Sequence, residues 1–320
     1  MYPMLKDGVG IYPLEDVETG EITYCVENKE GEEFEISERL YKALLCLDGT
    51  APLQMGEETY ELTSELKKHG IIRTSRYEKT KGLTSTFTVF PIGPRAAKYE
   101  WLCRILNRIL PFAAVIWFAA GVHILLHTPW IYFADDMNWP VFYGLLIFSL
   151  FAHETGHLIA GIAKGYEFSE MGILLLWFWP IGAYVSEVVR KGERTKESVQ
   201  KYLAGVEVNL MLAGIYFALA PASGEVQGTV VTAGVTNVLL IFLNLLLIKG
   251  LDGEGALSAF LGIDSISDAA MKWMKDKNKR RKLFTSGLTG YVSLLIFVLC
   301  LLSYVLGGAY LIIGVISYFL

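Results

Sequence analysis

From residue 109 onward the chain is written in long apolar blocks separated by short polar ones. The blocks fall at about 109–126, 140–163, 203–221, 229–250 and 288–306, each near the ~20 residues that a helix needs to cross a bilayer. A shorter apolar stretch, 309–320, is either a partial sixth span or the end of a long helix broken at Gly307–Gly308. The first hundred residues read differently. Apolar and polar positions alternate through 20–36, with a turn at "KEGEE", which predicts two strands. Ser37 can cap a helix over "ERLYKALLCLDG", with Leu40, Leu44 and Leu47 on one face and Gly49 as its stop. A second helix ends at Gly70, and "IIRTS" is a short strand. Strand, strand, helix, helix, strand predicts a small winged-helix-like domain. "KTKGLTST" (79–86) reads as a linker, "FTVFPIGP" as a short strand or an amphipathic approach to the membrane, and "KYEWLCRILNRI" as an interfacial segment.

Composition agrees with that division. The chain is 53% hydrophobic, ordinary for a protein with many spans, and the small net charge of -5 gives no reason to expect a nucleic-acid partner. The distribution of Lys and Arg is more informative. "HTPWIYFADDMNW" and "ASGEVQG" carry none, whereas 164–202 and 272–282 carry many, the latter including "KDKNKRRK". Five spans with a cytoplasmic N-terminus reproduce this alternation. The opening "MYPMLKDGVG" lacks the basic start and apolar core of a signal peptide. Cys25, Cys46, Cys103 and Cys300 lie far apart with no zinc-knuckle or disulfide spacing. One apolar segment, "GILLLWFWPIGAYV" (172–185), is too short for a crossing and is interrupted by Pro180 and Gly182. Counting it as a span would break the charge alternation, so it is expected to be a re-entrant strand or hairpin.

The chemistry lies in the second span. "HETGH" places His153 and His157 four apart, one helical turn, on one face. Two imidazoles at that spacing can grip one metal ion, with Glu154 turned aside toward a water on it. Ionisable groups inside a bilayer are costly enough that such a cluster points to function. A catalytic zinc needs a third protein ligand and an open fourth position. Asp252, in "KGLDGEG", is the candidate, because the fourth span ends near it and His153 lies ~20 Å along its own span, at the same cytoplasmic-side depth. Glu254, Glu187 and Glu170 are its rivals.

"HETGH" in one span and "LDG" after a later one resemble the site-2 protease family of intramembrane zinc metalloproteases. The resemblance implies that His153, His157 and Asp252 bind one Zn2+ per chain and that Glu154 is the catalytic base. "AGVEVNL" (204–210) is similar to the family's Ala-Gly-x-x-x-Asn segment. By that likeness Gly205 permits close helix approach and Asn209 sits near the site as substrate or oxyanion support. "LDGEGALSAFLGI" resembles the peptide zinc metalloprotease branch, in which a PqqD-like winged-helix domain that binds leader peptides often precedes the membrane part. The chain departs from the family pattern in two places: Asn244 is followed by Leu245 rather than Pro, and Glu207 stands at a usually apolar position.

These readings give a polytopic α-helical membrane protein with five to six transmembrane helices, a re-entrant strand or hairpin and a small N-terminal α/β winged-helix-like soluble domain. The expected division is 1–85 for the cytoplasmic domain, 86–108 for a linker and interfacial segment, and 109–320 for the membrane metalloprotease domain. The expected function is zinc-dependent cleavage of a membrane-inserted protein or a small peptide precursor at the cell membrane, with the active site toward the cytoplasm. The alternative is a non-catalytic immunity or export protein that retains a metal site.

Overall fold

The computed structural model describes residues 3–275 except 7–8, 16–20, 29–30, 48–52, 54–58, 76, 80–83, 93, 129–136, 178, 189–198 and 264. Beyond 275 it describes Leu295, Val298, Leu299, Leu302 and Val305, all helical. The expected fifth span therefore lies mostly, and 309–320 wholly, outside the described residues. The chain divides into two compact units: Met1–Ile109 with His157–Thr195, and Leu110–Gly156 with Lys196–Leu320.

The first unit holds all the described strands. Strands β1 (Met4–Leu5), β2 (Gly10–Glu15), β3 (Ile22–Glu27) and β4 (Glu33–Ile36) are followed by helices α1 (Glu38–Leu45) and α2 (Thr59–Lys68), then by strand β5 (Ile72–Arg73). Strands β2, β3 and β4 form one antiparallel sheet, and β5 pairs with β1 in a separate ladder, Leu5 opposite Ile72. Ser37 caps α1 as its sequence predicts, its Oγ accepting from Leu40 N at 3.2 Å. The face read from the sequence, Leu40, Leu44 and Leu47, is buried with Val9, Ile11, Val26, Leu66, Ile71 and Ile72.

Strands β6 (Tyr77–Lys79) and β7 (Thr84–Pro91) follow, then a 3-10 turn at Pro94–Tyr99. Of the segment read as linker (79–86), Lys79 and Thr84–Thr86 are strand and 80–83 lie outside the described residues; "FTVFPIGP" is strand through Pro91, and the main partner of β7 is distant in sequence. β7 pairs antiparallel with β8 (Glu167–Leu176), which forms a hairpin with β9 (Trp179–Val188), in the order β6-β7-β8-β9. The hairpin expected at 172–185 is β8–β9. A buried cluster ties this sheet to the N-terminal strands. Arg73 of β5 is ion-paired with Glu170 of β8 and donates to Thr88 Oγ1 at 2.7 Å. Thr88 donates to Glu170 at 2.6 Å, and Tyr184 OH donates to its other oxygen at 2.9 Å.

The second unit is helical. Four helices among the described residues are long and apolar enough to cross a membrane: α3 (Glu100–His127), α4 (Trp139–Ile162), α5 (Val199–Leu219, continued to Ala222) and α6 (Gln227–Asn244). The first begins before residue 109 because the segment expected at the interface continues as helix, with Pro111 inside it; the unit boundary at Ile109 falls beside that proline. The fourth stops at Asn244 rather than near Gly250. Helix α7 (Asp252–Leu261) follows a short non-helical stretch, and α8 (Ile266–Lys275) closes the described part. Small residues set the helix approach: a Cβ at Gly121 would collide with the backbone of Gly214, and one at Gly156 would lie 2.6 Å from the Ala204 carbonyl oxygen. Around Val208, Leu212, Tyr216, Val230 and Val231 the core is apolar. It is crossed by one buried polar link, in which Asn237 donates to Ser149 at 3.0 Å and Ser149 meets Tyr216 OH at 3.1 Å.

Candidate metal centre

Helix α4 presents Ser149, His153 and His157 at successive intervals of four, so one stripe carries all three. His153 is buried. Its Nε2 lies 3.1 Å from Asp252 Oδ2, and the Asp252 side chain is 13% exposed. One ligand atom from each of His153, His157 and Asp252 lies within 4.8 Å of the others. Among the described residues this is the one group of His, Cys, Asp and Glu side chains able to hold a metal ion. Glu154 sits next to His153, turned ~100° around the helix axis.

The other face of His153 is governed by Asn209, which is fully buried on α5. The Asn209 side-chain amide lies 2.9 Å from His153 Nδ1, and its Oδ1 is buried without a hydrogen-bond partner. An amide turned so that Oδ1 faces the ring resolves both points. In that orientation Oδ1 would accept from Nδ1–H, and that tautomer would leave the Nε2 lone pair directed at Asp252. A lone pair facing a carboxylate oxygen calls for a cation between them. The donor set fits zinc: two imidazoles and one carboxylate, with no fourth protein ligand among the described residues, match a catalytic rather than a structural site.

Two of the rival carboxylates, Glu170 and Glu254, are engaged elsewhere. Glu170 is held by Arg73, Thr88 and Tyr184. Glu254 accepts from Ser265 Oγ at 2.7 Å, and from Ser258 Oγ and Ser267 N at 3.3 Å each. At ~100° per residue, Glu254 points roughly opposite to Asp252 on α7, so one helix cannot aim both at the same ion. Glu187 lies opposite Phe168 in the β8–β9 ladder. Glu207, on α5, is bound through both oxygens by Gln200 at 3.1 and 3.0 Å. Gly205 is buried one turn before Asn209.

Three glycines that the motif reading passed over do the close packing. Gly156, inside "HETGH", gives α4 its contact with the backbone of α5. Gly253 presses on the backbone of Leu245, and Gly255 lies under the Tyr202 ring, so a side chain at either would displace the start of α7. The signal was present in the spelling of "DGEG", where two glycines flank a buried glutamate at the head of a helix.

His153 and His157 one helical turn apart, Glu154 beside the first and Asp252 from a later helix make up a candidate metal centre with His-Glu-x-x-His spelling. Residues 141–225 match the model of Peptidase family M50, the site-2 protease family, whose members are zinc-dependent intramembrane metalloproteases. The matched stretch contains His153, Glu154, His157, Gly205 and Asn209, the β8–β9 hairpin and helix α5. No curated protein and no solved structure matches the chain.

Proposed function

We propose that this protein is an intramembrane zinc endopeptidase that hydrolyses a peptide bond of a membrane-inserted protein or a small peptide precursor. The observation that carries the proposal is the convergence of His153, His157 and Asp252 within 4.8 Å, next to Glu154. Zinc held by these three side chains would polarise the scissile carbonyl and acidify a water molecule. Glu154 accepts that water's proton and returns it to the leaving amine. Asn209 keeps His153 in the Nδ1–H tautomer with its ring oriented, an orienting role distinct from the oxyanion support that family likeness suggests.

A helical substrate has its backbone carbonyls engaged and must extend before it can be cut. The order β6-β7-β8-β9 makes β9 an edge of its sheet among the described residues, which favours capture of an extended substrate by strand addition. The Lys and Arg distribution favours the cell membrane with the N-terminus in the cytoplasm. We assign the N-terminal domain to binding the leader of the precursor.

Glu154→Gln decides between this reading and a non-catalytic immunity or export protein. The variant should retain zinc and fold but lose cleavage by at least ~100-fold, the lower end of general acid–base contributions. Membrane and small-peptide proteomes of cells carrying wild type and Glu154→Gln should then differ by an accumulated precursor, whose leader the full-length protein binds. Identical peptide inventories would favour the non-catalytic reading.

A further inference from the structure

We propose that Glu254 is a positioning residue for Asp252: it fastens the first turn of α7 to the start of α8 and so fixes where the Asp252 carboxylate stands. The inference rests on the metal site proposed above.

Helix α7 begins at Asp252, yet its N-cap, Leu251, offers no side-chain cap. An uncapped first turn frays unless other groups hold it. Here the restraint comes from α8. Glu254 is 7% exposed, and one of its oxygens, Oε1, receives three donors: Ser265 Oγ, Ser258 Oγ and Ser267 N. Three donors converging on one buried carboxylate oxygen make a short-range, directional clamp. Ser258 in turn accepts from Ile266 N at 3.0 Å, and Ser265 accepts from Asp268 N at 3.1 Å, capping α8.

The chain on the other side of Asp252 is tied to the same helix. Ser267 Oγ donates to the Leu247 carbonyl at 3.2 Å, and Lys249 Nζ donates to Asp268 at 2.7 Å. Asp252 is therefore bracketed, with Leu247 and Lys249 before it and Glu254 after it all anchored to the first turn of α8. Gly262 makes the reversal between the two helices, with φ at 67° and Ile263 N donating back to Ser258 O at 3.0 Å. Glu254 adds no ligand to the ion; it denies Asp252 the freedom to swing away from the imidazoles.

The test uses the full-length protein in detergent, loaded with zinc for affinity and with Co2+ for its visible absorption, beside kcat. Glu254→Ala should weaken zinc about 10- to 100-fold, the usual cost of losing a group that orients a ligand. It should also change the Co2+ spectrum at saturating metal, because Asp252 leaves the coordination sphere. Glu254→Gln, whose amide oxygen can still accept from the serines, should fall between Ala and wild type in both readouts. A merely destabilising substitution would lower the melting temperature while the saturated protein kept the wild-type spectrum, and that result would overturn the inference. Where Glu254→Ala does not fold, Ser258→Ala with Ser265→Ala removes two donors and keeps the carboxylate. A smaller loss in the same direction supports the proposal, and an unchanged affinity and spectrum sinks it. Wild type without metal would overturn the zinc reading and this inference together, whereas metal-replete wild type with an unaltered Glu254→Ala overturns this inference alone.

Discussion

At the scale of single residues, the centre depends on groups that hold ligands as much as on the ligands. His153 is useful to a cation only as the Nδ1–H tautomer, and Asn209 is the group within 2.9 Å that can select it. Asn209→Ala removes that acceptor and should weaken zinc about 10- to 100-fold. Asn209→Asp separates the two orientations of the amide. If Oδ1 faces Nδ1–H, the carboxylate accepts the same proton and affinity stays well above that of the Ala variant. If the amide nitrogen instead donates to Nδ1, the proton sits on Nε2, Asn209 opposes zinc, and both Asp and Ala should bind it at least as tightly as the wild type. Competition with a chromogenic chelator reads both variants. The sequence carried these residues with different clarity. His153, Glu154 and His157 are legible because their spacing states their geometry, one helical turn on one face. The separation of Asp252 from Glu254 follows from the same helical angle once α7 is known to begin at Asp252. The partners of Glu254 lie on α8, and no local spacing announces them.

At the scale of elements, long local patterns were legible and distant pairings were not. Helices α3, α4, α5 and α6 follow from apolar length, and α1 from Ser37 and its leucine stripe. Strand β7 was ambiguous because a strand is defined by its neighbour, and the neighbour of Thr84–Pro91 lies beyond two apolar helices, at Glu170–Leu176. Strands β1 and β2 escaped for a related reason: Pro3, Gly8, Gly10 and Pro13 interrupt the alternation there. The β8–β9 hairpin now has a testable consequence. Its inner strand spends its backbone groups on β7 and β9, while β9 has one unclaimed edge among the described residues. Proline placed singly at Ala183, Tyr184 and Val185 should lower cleavage with a period of two. Positions whose N–H faces outward lose substrate capture with zinc retained, and those facing β8 lose hairpin stability instead. Cleavage assays beside zinc content check this, and undiminished cleavage at all three positions would refute strand addition.

At the scale of the whole molecule, strands that precede helices α3 and α4 share one compact unit with strands that follow them. Met1–Ile109 and His157–Thr195 form one compact unit. In it β7 supplies a strand to the sheet that follows helix α4, and Arg73 reaches Glu170 in the interior of this unit, with both side chains at most 5% exposed. A buried ion pair is weak evidence of net stability, because two charges have lost their hydration, but breaking one side strands the other. Arg73→Met alone should therefore destabilise this unit by about 3–5 kcal/mol, seen as a lowered melting temperature in detergent and earlier proteolysis of the N-terminal domain. Arg73→Met with Glu170→Met should recover most of the loss, since no charge is left unpaired. If the pair also sets the hairpin for substrate, the double variant regains stability without regaining cleavage, and zinc content stays at the wild-type level in both. Full recovery of cleavage in the double variant would restrict the pair to a folding role and leave substrate placement to the strand pairing of β7 with β8.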